Sequence, residues 1–279
     1  MKTYFQILMI LVTLTMDLSA RSEKILFCYK FRPGEYLTYQ TNRQDNVLFG
    51  NERQSDARKV NIHLRETLEV KASSPEVHHT ISYHLDSVNI SPDWQSSQIS
   101  ERDLLQHFPK QFADTLIHMS TNGYPLLNQG QFHFNQLTLP LSEFPLELNE
   151  GWEFEFEIPD GPFSSKQCKS VVFGQGMLYD FIREDSRTLA RFIVNTTQLF
   201  EGECSISNES SRFVFNREGE IESTHLVYFD EERGVITKIV TDQVIKEQRY
   251  TRANRLSFTI TSKSTTELVD WDMYKGLLQ

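Results

Sequence analysis

The stretch of sequence that decides the fold runs from Trp152 to Ile158 and reads Trp-Glu-Phe-Glu-Phe-Glu-Ile. Large apolar side chains occupy every second position, and glutamates occupy the positions between them. Successive side chains of a β-strand point to opposite faces of the sheet, so this period of two predicts a strand with one buried and one solvated face. Such strands are typical of an antiparallel sheet that covers a core on one side only. The same period recurs along most of the chain.

A second alternating pattern lies upstream, between Val60 and Val70. Its even positions are apolar except for Glu66, and its odd positions are polar. The turn signal Ser73-Ser74-Pro75-Glu76 follows, and a further alternating run extends from Val77 to Leu85. Two alternating runs joined by a turn predict an antiparallel hairpin.

Other alternating segments predict strands in the second half of the chain. They lie at Lys169–Phe173, Met177–Arg183, Thr188–Thr196, Ser211–Phe215, Ile221–Phe229, Val235–Val244 and Leu256–Thr261. Turn signals separate them, notably Glu218-Gly219 and the segment from Asp230 to Gly234. The segment from Glu101 to Phe108, which Pro109 follows, predicts one short helix. That helix is either a plain connector or a lid over one end of the sheet.

The two halves of the chain resemble each other. Gly34–Tyr39 opens the first half and Gly151–Phe156 opens the second, and glycine turns are predicted near the end of each, at Thr121–Gly123 and Arg217–Gly219. This likeness arises either from an internal duplication or by chance. We expect an all-β fold of two similar antiparallel curved half-sheets, an open barrel or sandwich-like, with one short helix. The expected segments are a signal peptide (1–20), a first β half (21–136), a connecting segment (137–149), a second β half (150–265) and a C-terminal tail (266–279).

The N-terminus carries a targeting signal. Lys2 precedes an almost uncharged run from Tyr4 to Met16, and the small residues Ser19 and Ala20 follow. The run is shorter than the about 20 apolar residues that cross a bilayer, so a cleaved secretory signal is expected, with an uncleaved anchor as the alternative. We therefore expect a secreted or periplasmic protein that has no transmembrane span after signal removal.

Composition and motifs narrow the class of function. The formal net charge of −10 argues against a nucleic-acid partner, because an acidic chain repels phosphates. The sequence contains no Gly-x-Ser-x-Gly elbow, phosphate loop, dinucleotide fingerprint or His-Glu-x-x-His motif. We therefore expect no catalytic residues, no cofactor and no metal. An unrecognised hydrolase would need His79, His225 and Asp230 to converge in one pocket.

Cysteines and sequons leave two questions open. Cys28 stands in an apolar segment, which predicts a buried thiol. Cys168 and Cys204 either form one disulfide or stay apart, since spacing alone does not decide whether the two sulfur atoms meet. Asn-x-Ser/Thr sequons accept glycans only in a eukaryotic secretory pathway, and they occur here at Asn89, Asn195 and Asn208.

The apolar face of the Trp152–Ile158 strand is the candidate ligand surface. Trp152, Phe154 and Phe156 either line a concave sheet or fill the core between the half-sheets. The leading expectation is a non-catalytic protein that binds an apolar or lipid-like ligand, in which case a cavity should lie behind Trp152. The alternative is an envelope or extracellular interaction scaffold, which predicts a filled core and an exposed edge strand or patch that binds a partner protein.

Three segments carry a resemblance to a known family. They are an early strand at Pro33–Tyr39, a proline that precedes Gly-Trp at Pro145–Trp152, and a late strand that ends in a glycine turn at Val227–Val235. Together they resemble a family of bacterial secreted or envelope β-rich proteins of unknown function. The resemblance implies a β-rich protein without assigned catalytic residues. This chain lacks the lipid-attachment cysteine of many members. At the level of fold it also resembles periplasmic half-barrels that carry lipoproteins or lipids.

Overall fold

The computed structural model describes residues 24–51, 54–74, 78–92, 115–126, 136–159, 169–184, 187–207, 212–250 and 255–272. Within these ranges the chain forms ten β-strands and one short 3-10 turn, Gln136–Thr138. The strands are β1 (Tyr36–Asn51), β2 (Gln54–Ser74), β3 (His78–Pro92), β4 (Thr115–Met119), β5 (Gly151–Pro159), β6 (Lys169–Glu184), β7 (Arg187–Ser207), β8 (Arg212–Asp230), β9 (Val235–Tyr250) and β10 (Arg255–Asp272).

All ten strands belong to one antiparallel sheet, in the order β4-β3-β2-β1-β10-β9-β8-β7-β6-β5. Strands that are adjacent in the sheet are also adjacent in the chain, except for β1 and β10. These two pair over their length, with Tyr39 opposite Leu268 and Val47 opposite Ile260. The all-β antiparallel fold is confirmed. The pairing of β1 with β10 joins the two halves into one continuous, open sheet, with β4 and β5 at its edges.

The two most strongly alternating patterns form strands as predicted. Trp152, Phe154 and Phe156 of β5 are buried, whereas the intervening glutamates are exposed. The hairpin predicted upstream is formed by β2 and β3, with Leu68 opposite Tyr83. Leu68 and Tyr83 belong to the same core as the β5 rings, as a period of two allows, whereas Val60, Ile62 and Ile90 form a second, smaller cluster.

Several predicted strand boundaries are wrong, because the strands are longer than their apolar patterns. β6 includes two of the predicted strands, and so does β8. The predicted turn at Gly219 lies inside β8, where a Cβ atom would be 2.3 Å from Cζ of Phe200 and 2.5 Å from the carbonyl oxygen of Lys246. Glycine therefore makes room for the Phe200 ring at this position. The turn at Gly234 is confirmed, with φ of 65° and a bond from its N–H to the Asp230 carbonyl.

The segment that precedes β1 lies inside the core rather than in the sheet. Phe27, Tyr29 and Phe31 are all buried. The Phe27 ring meets that of Phe192 edge-on, with centroids 4.9 Å apart, and the Tyr29 hydroxyl donates to the Leu139 carbonyl over 2.9 Å. An extended segment with alternate aromatic residues thus fills one end of the curved sheet.

Some predictions fall outside the described residues. These are the signal peptide, the helix from Glu101 to Phe108, and the proposed bridge between Cys168 and Cys204. Cys28, predicted to be buried, is a free thiol that is only half-buried, since the side chains that alternate with it, Phe27 and Tyr29, take the inner side of the segment. β10 continues to Asp272, so the sheet includes part of the segment assigned to the tail.

Candidate functional site

One face of the sheet, called here the inner face, carries the core. A single cluster of buried apolar side chains contains Leu37 of β1, Ile117 of β4, Trp152 of β5 and Phe229 of β8. Strands from both edges and from the middle of one sheet can share a core only if the sheet curls around it. The inner face is therefore the concave one, and a ligand that is to be shielded from water would lie against it.

Trp152 lies in the closed part of this core. Its indole Nε1 donates to the Pro140 carbonyl over 3.1 Å, and its ring meets that of Phe192 at 89° with centroids 5.6 Å apart. A Cβ atom on Gly176 would be 2.2 Å from the indole, so the ring lies flat against the backbone of β6. Neither of the two outer-face grooves described below is lined by Trp152.

Phe154 and Phe156 follow Trp152 along the inner face. Their rings are stacked, with centroids 6.0 Å apart and an angle of 13°. The Phe154 ring covers Gly174, and Phe156 lies opposite Val172 of β6. The three residues predicted as a ligand surface therefore lie on one face, and all three are buried. Of the three residues, Phe156 lies farthest along β5 from Trp152 and the closed part of the core.

A band of polar side chains crosses the inner face beyond the closed core. In this band, His225 is hydrogen-bonded through Nδ1 to the Thr241 hydroxyl at 2.9 Å and through Nε2 to that of Thr196 at 3.3 Å. Gln243 donates to Ser223 over 3.0 Å. Burial lowers the pKa of His225 to about 4, so the imidazole is neutral at neutral pH. The band is a network of hydroxyl, amide and imidazole groups that are hydrogen-bonded to one another.

A buried carboxylate stands at the first-half side of this band. Glu66 accepts hydrogen bonds from the Tyr83 hydroxyl at 2.5 Å and the Thr41 hydroxyl at 3.0 Å. Burial raises the pKa of Glu66 above its usual range, although both hydrogen bonds act in the opposite direction. The Thr41 hydroxyl also meets that of Thr266 at 2.8 Å. Each side chain of this group thus has a polar partner, as burial demands.

Beyond the polar band, the inner face becomes apolar again. Four aliphatic side chains, named here the aliphatic belt, stand side by side on four adjacent strands: Val47 on β1, Ile260 on β10, Ile245 on β9 and Ile221 on β8. Each is only half-buried. The three interstrand steps make the belt about 14 Å long, at about 4.8 Å a step. The row continues through Gln198 and Val172 to Phe156.

Two arginines and one glutamate, named here the arginine cluster, lie past the belt on the same face. Arg217 and Arg249 stand directly opposite each other on β8 and β9. Glu247 Oε1 is 3.3 Å from Nε of Arg217 and 2.5 Å from Nε of Arg249. The Arg217 guanidinium lies 4.3 Å from the centroid of the Phe200 ring, and that of Arg249 lies 4.7 Å from the centroid of Phe258. The cluster combines two guanidinium groups and one carboxylate with aromatic surface.

Two shallow grooves lie on the opposite, outer face of the sheet. Their volumes are about 550 and 560 Å³, and both are lined in part by Asn195 and Thr197. The polar groups in these grooves already bond to one another: Gln175 donates to Glu153 over 2.9 Å, and Thr224 donates to Asn195 over 2.8 Å. These grooves are lined mainly by polar and charged side chains, whereas the inner face carries half-buried aliphatic side chains, so the inner face is the better candidate for an apolar ligand.

The residues considered for catalysis have separate partners. His79 bonds to the Ser73 hydroxyl at 2.9 Å and to the Tyr29 carbonyl at 3.2 Å, His225 belongs to the polar band, and Asp230 accepts from the Arg233 N–H at 3.0 Å in the β8–β9 turn. Within the ranges that the structure describes, no group of three or more His, Cys, Asp or Glu side chains is arranged to hold a metal ion.

The sequence interpretation missed the arginine cluster. On β8, Phe215 and Arg217 are in phase, so an arginine continues the pattern of inward aromatic residues. That phase is a signal that the sequence carries. The second arginine could not be assigned to the same place, because the pairing of Arg217 with Arg249 depends on the register of β8 against β9.

Comparisons with known proteins are limited to folds. No protein-family model and no curated protein matches the chain. Among solved structures, one that concerns lipid–protein interactions in lipovitellin has a TM-score of 0.40 and 9% identity, and the match covers 90% of this chain but 26% of that one. Neisserial surface protein A has a TM-score of 0.23 and 5% identity, over 83% of this chain and 96% of that one.

An outer membrane channel from Pseudomonas putida F1 has a TM-score of 0.25 and 7% identity, over 86% of this chain and 97% of that one. The described residues include no helix of the length and apolarity that a membrane crossing requires.

Proposed function

We propose that this protein is a non-catalytic, secreted or periplasmic binding protein whose inner face takes an apolar or lipid-like ligand. The observation that carries the proposal is the aliphatic belt. Three isoleucines, at positions 221, 245 and 260, stand in one row on the concave side of the sheet and are only half-buried. Apolar surface on a concave face is the usual wall of a small-molecule site.

The surroundings of the belt support this proposal. On one side the polar band separates the belt from the closed core, so an apolar ligand would meet hydroxyl and amide groups where its burial ends. At the β5 end of the row, Val172 and Phe156 are buried. An apolar ligand on the belt would cover the remaining aliphatic surface, at about 25 cal/mol for each Å² removed from water.

Nile red, an uncharged dye that fluoresces in apolar surroundings, tests the proposal on the full chain after removal of copurified lipid. We expect a rise in fluorescence with the wild-type protein. Ile245→Ser should weaken the affinity about tenfold, because one buried isoleucine contributes about 1.5 kcal/mol or more. Dodecanol, also uncharged, should displace the dye.

The matched control is Val244→Ser, since Val244 is the neighbouring aliphatic residue and lines an outer groove. It should leave the affinity for Nile red unchanged. No binding, or equal losses in both variants, would overturn the proposal. Native mass spectrometry of protein purified from its secretory host without detergent provides a second test, since a bound lipid adds mass that is lost on denaturation.

An exposed apolar patch beside the closed part of the core favours a second candidate function, a protein-interaction module. Leu26, Phe144 and Leu148 are 50%, 73% and 49% exposed. They adjoin the short bridge between Ile25 and Leu146. Exposed large apolar side chains that lie together are typical of protein contacts. This candidate gains support if the inner face binds neither Nile red nor dodecanol.

A further inference from the structure

We infer that the ligand of the inner face is an anionic single-chain amphiphile, whose headgroup binds Arg217 and Arg249 while its chain covers the aliphatic belt. This inference rests on the proposed function and adds the charge of the ligand to it. Its basis is the position of the arginine cluster, which lies on the same face as the belt and on the same two strands.

The spacing suits an amphiphile. Arg249 is four residues beyond Ile245 on β9, and Arg217 is four residues before Ile221 on β8. At about 3.4 Å a residue, the arginines stand about 13 Å from the belt along both strands. Because these pairs differ by an even number of residues, all four side chains face the same way. A headgroup at the arginines therefore leaves the chain directed along β8 and β9 towards the isoleucines.

Between the arginines and the belt, the inner face carries Glu247 on β9 and Gly219 on β8, with the aromatic residues Phe258 and Phe200 on the strands to either side. Phe200 is buried and Phe258 is half-buried, and the guanidinium groups lie against these rings. Stacked guanidinium groups are held in place while their N–H groups stay directed at a carboxylate or phosphate. The two rings therefore supply apolar surface on both sides of Glu247, between the belt and the headgroup position.

The pairing within the arginine cluster and the exposure of Arg249 favour an anion. Glu247 is the carboxylate that pairs with both arginines, and its side chain is 9% exposed. The single carboxylate of Glu247 is therefore shared between two guanidinium groups. The side chain of Arg249 is 38% exposed, whereas that of Arg217 is 13% exposed. Arg249 is therefore the group that an incoming headgroup reaches first.

Displacement of Nile red by dodecanoate and by dodecanol separates the charge from the chain. At about pH 8 a carboxylic acid is ionised. We expect dodecanoate to displace the dye at an about tenfold lower concentration than dodecanol. Arg249→Gln should remove this preference while the affinity for dodecanol stays the same. Glu247→Gln should increase the preference, because it removes the competing carboxylate; added salt should decrease it.

Arg255→Gln is the matched control, since Arg255 lies at the same end of the sheet but bonds to Gln248 on the outer face. It should leave the preference unchanged. Retained affinity for dodecanol shows that each variant is folded. Equal affinities of the wild-type protein for dodecanoate and dodecanol would overturn the inference and leave the proposed function standing. Failure of both compounds and of Nile red to bind would overturn the proposed function itself.

Discussion

At the scale of single residues, His225 has an environment that a solvated histidine lacks. Its two ring nitrogens are bonded to Thr196 and Thr241, and burial lowers its pKa to about 4 from an unfolded value of about 6.5. Between these pH values the unfolded chain binds more protons at this position than the folded one. The free energy of unfolding therefore falls as pH falls from about 6.5 to about 4, by roughly 3 kcal/mol from this group.

The variant His225→Gln isolates that contribution. Glutamine can bond to both hydroxyls but does not titrate, so urea unfolding of the variant should lose roughly 3 kcal/mol less over the same pH range. Glu66 acts in the opposite direction, because its raised pKa makes stability fall as pH rises above its unfolded value. Since Glu66 is present in both proteins, its effect cancels in the comparison. Parallel pH profiles for the two proteins would contradict the assignment.

At the scale of elements, the segment that precedes β1 acts as part of the core although it forms no strand of the sheet. Phe27 is 1% exposed and contacts the rings of Phe192 and Phe229. Phe27→Ala should therefore lower the free energy of unfolding by about 3–5 kcal/mol. Leu26→Ala, one residue away and half-exposed, should change it by less than about 0.5 kcal/mol. Denaturant unfolding measures both, and similar small losses would mean that this segment is not packed as described.

The strands show which parts of the fold can be predicted from the sequence and which cannot. Where an apolar core lies against the strand, as at Trp152–Ile158, the alternation predicts both the strand and its buried face. The prediction stops where the inner side chains become polar, as at Thr196, because buried hydroxyls look like solvated ones in a sequence. β7 nevertheless continues to Ser207, and β8 continues through Arg217 and Gly219, so that two predicted strands merge into β8. Gly219, interpreted as a turn, instead accommodates a ring from the next strand.

At the scale of the whole molecule, the candidate site depends on pairings that the sequence does not encode locally. The belt places Val47 beside Ile260, from opposite ends of the chain. Register between distant strands follows from the combined fit of core side chains and turns, which no local pattern contains. Composition and period thus predict the all-β fold and the inward rings of β5, whereas the belt and the arginine cluster emerge only from the assembled sheet.

Both halves of the sheet contribute to one core, so we expect them to unfold together. Ile81 of β3 and Phe192 of β7 belong to the same cluster of buried side chains, and the Tyr39 hydroxyl of β1 donates to the Ile236 carbonyl of β9 over 2.9 Å. In a variant whose only tryptophan is Trp152, the fluorescence transition in urea should coincide with that of far-UV circular dichroism. Ile81→Ala lies in the other half of the chain, but it should lower the urea midpoints of both transitions by the same amount. The corresponding loss in free energy of unfolding should be about 2–5 kcal/mol. A Trp152 transition that stays in place when Ile81 is truncated would mean that the halves fold as separate units joined only through β1 and β10.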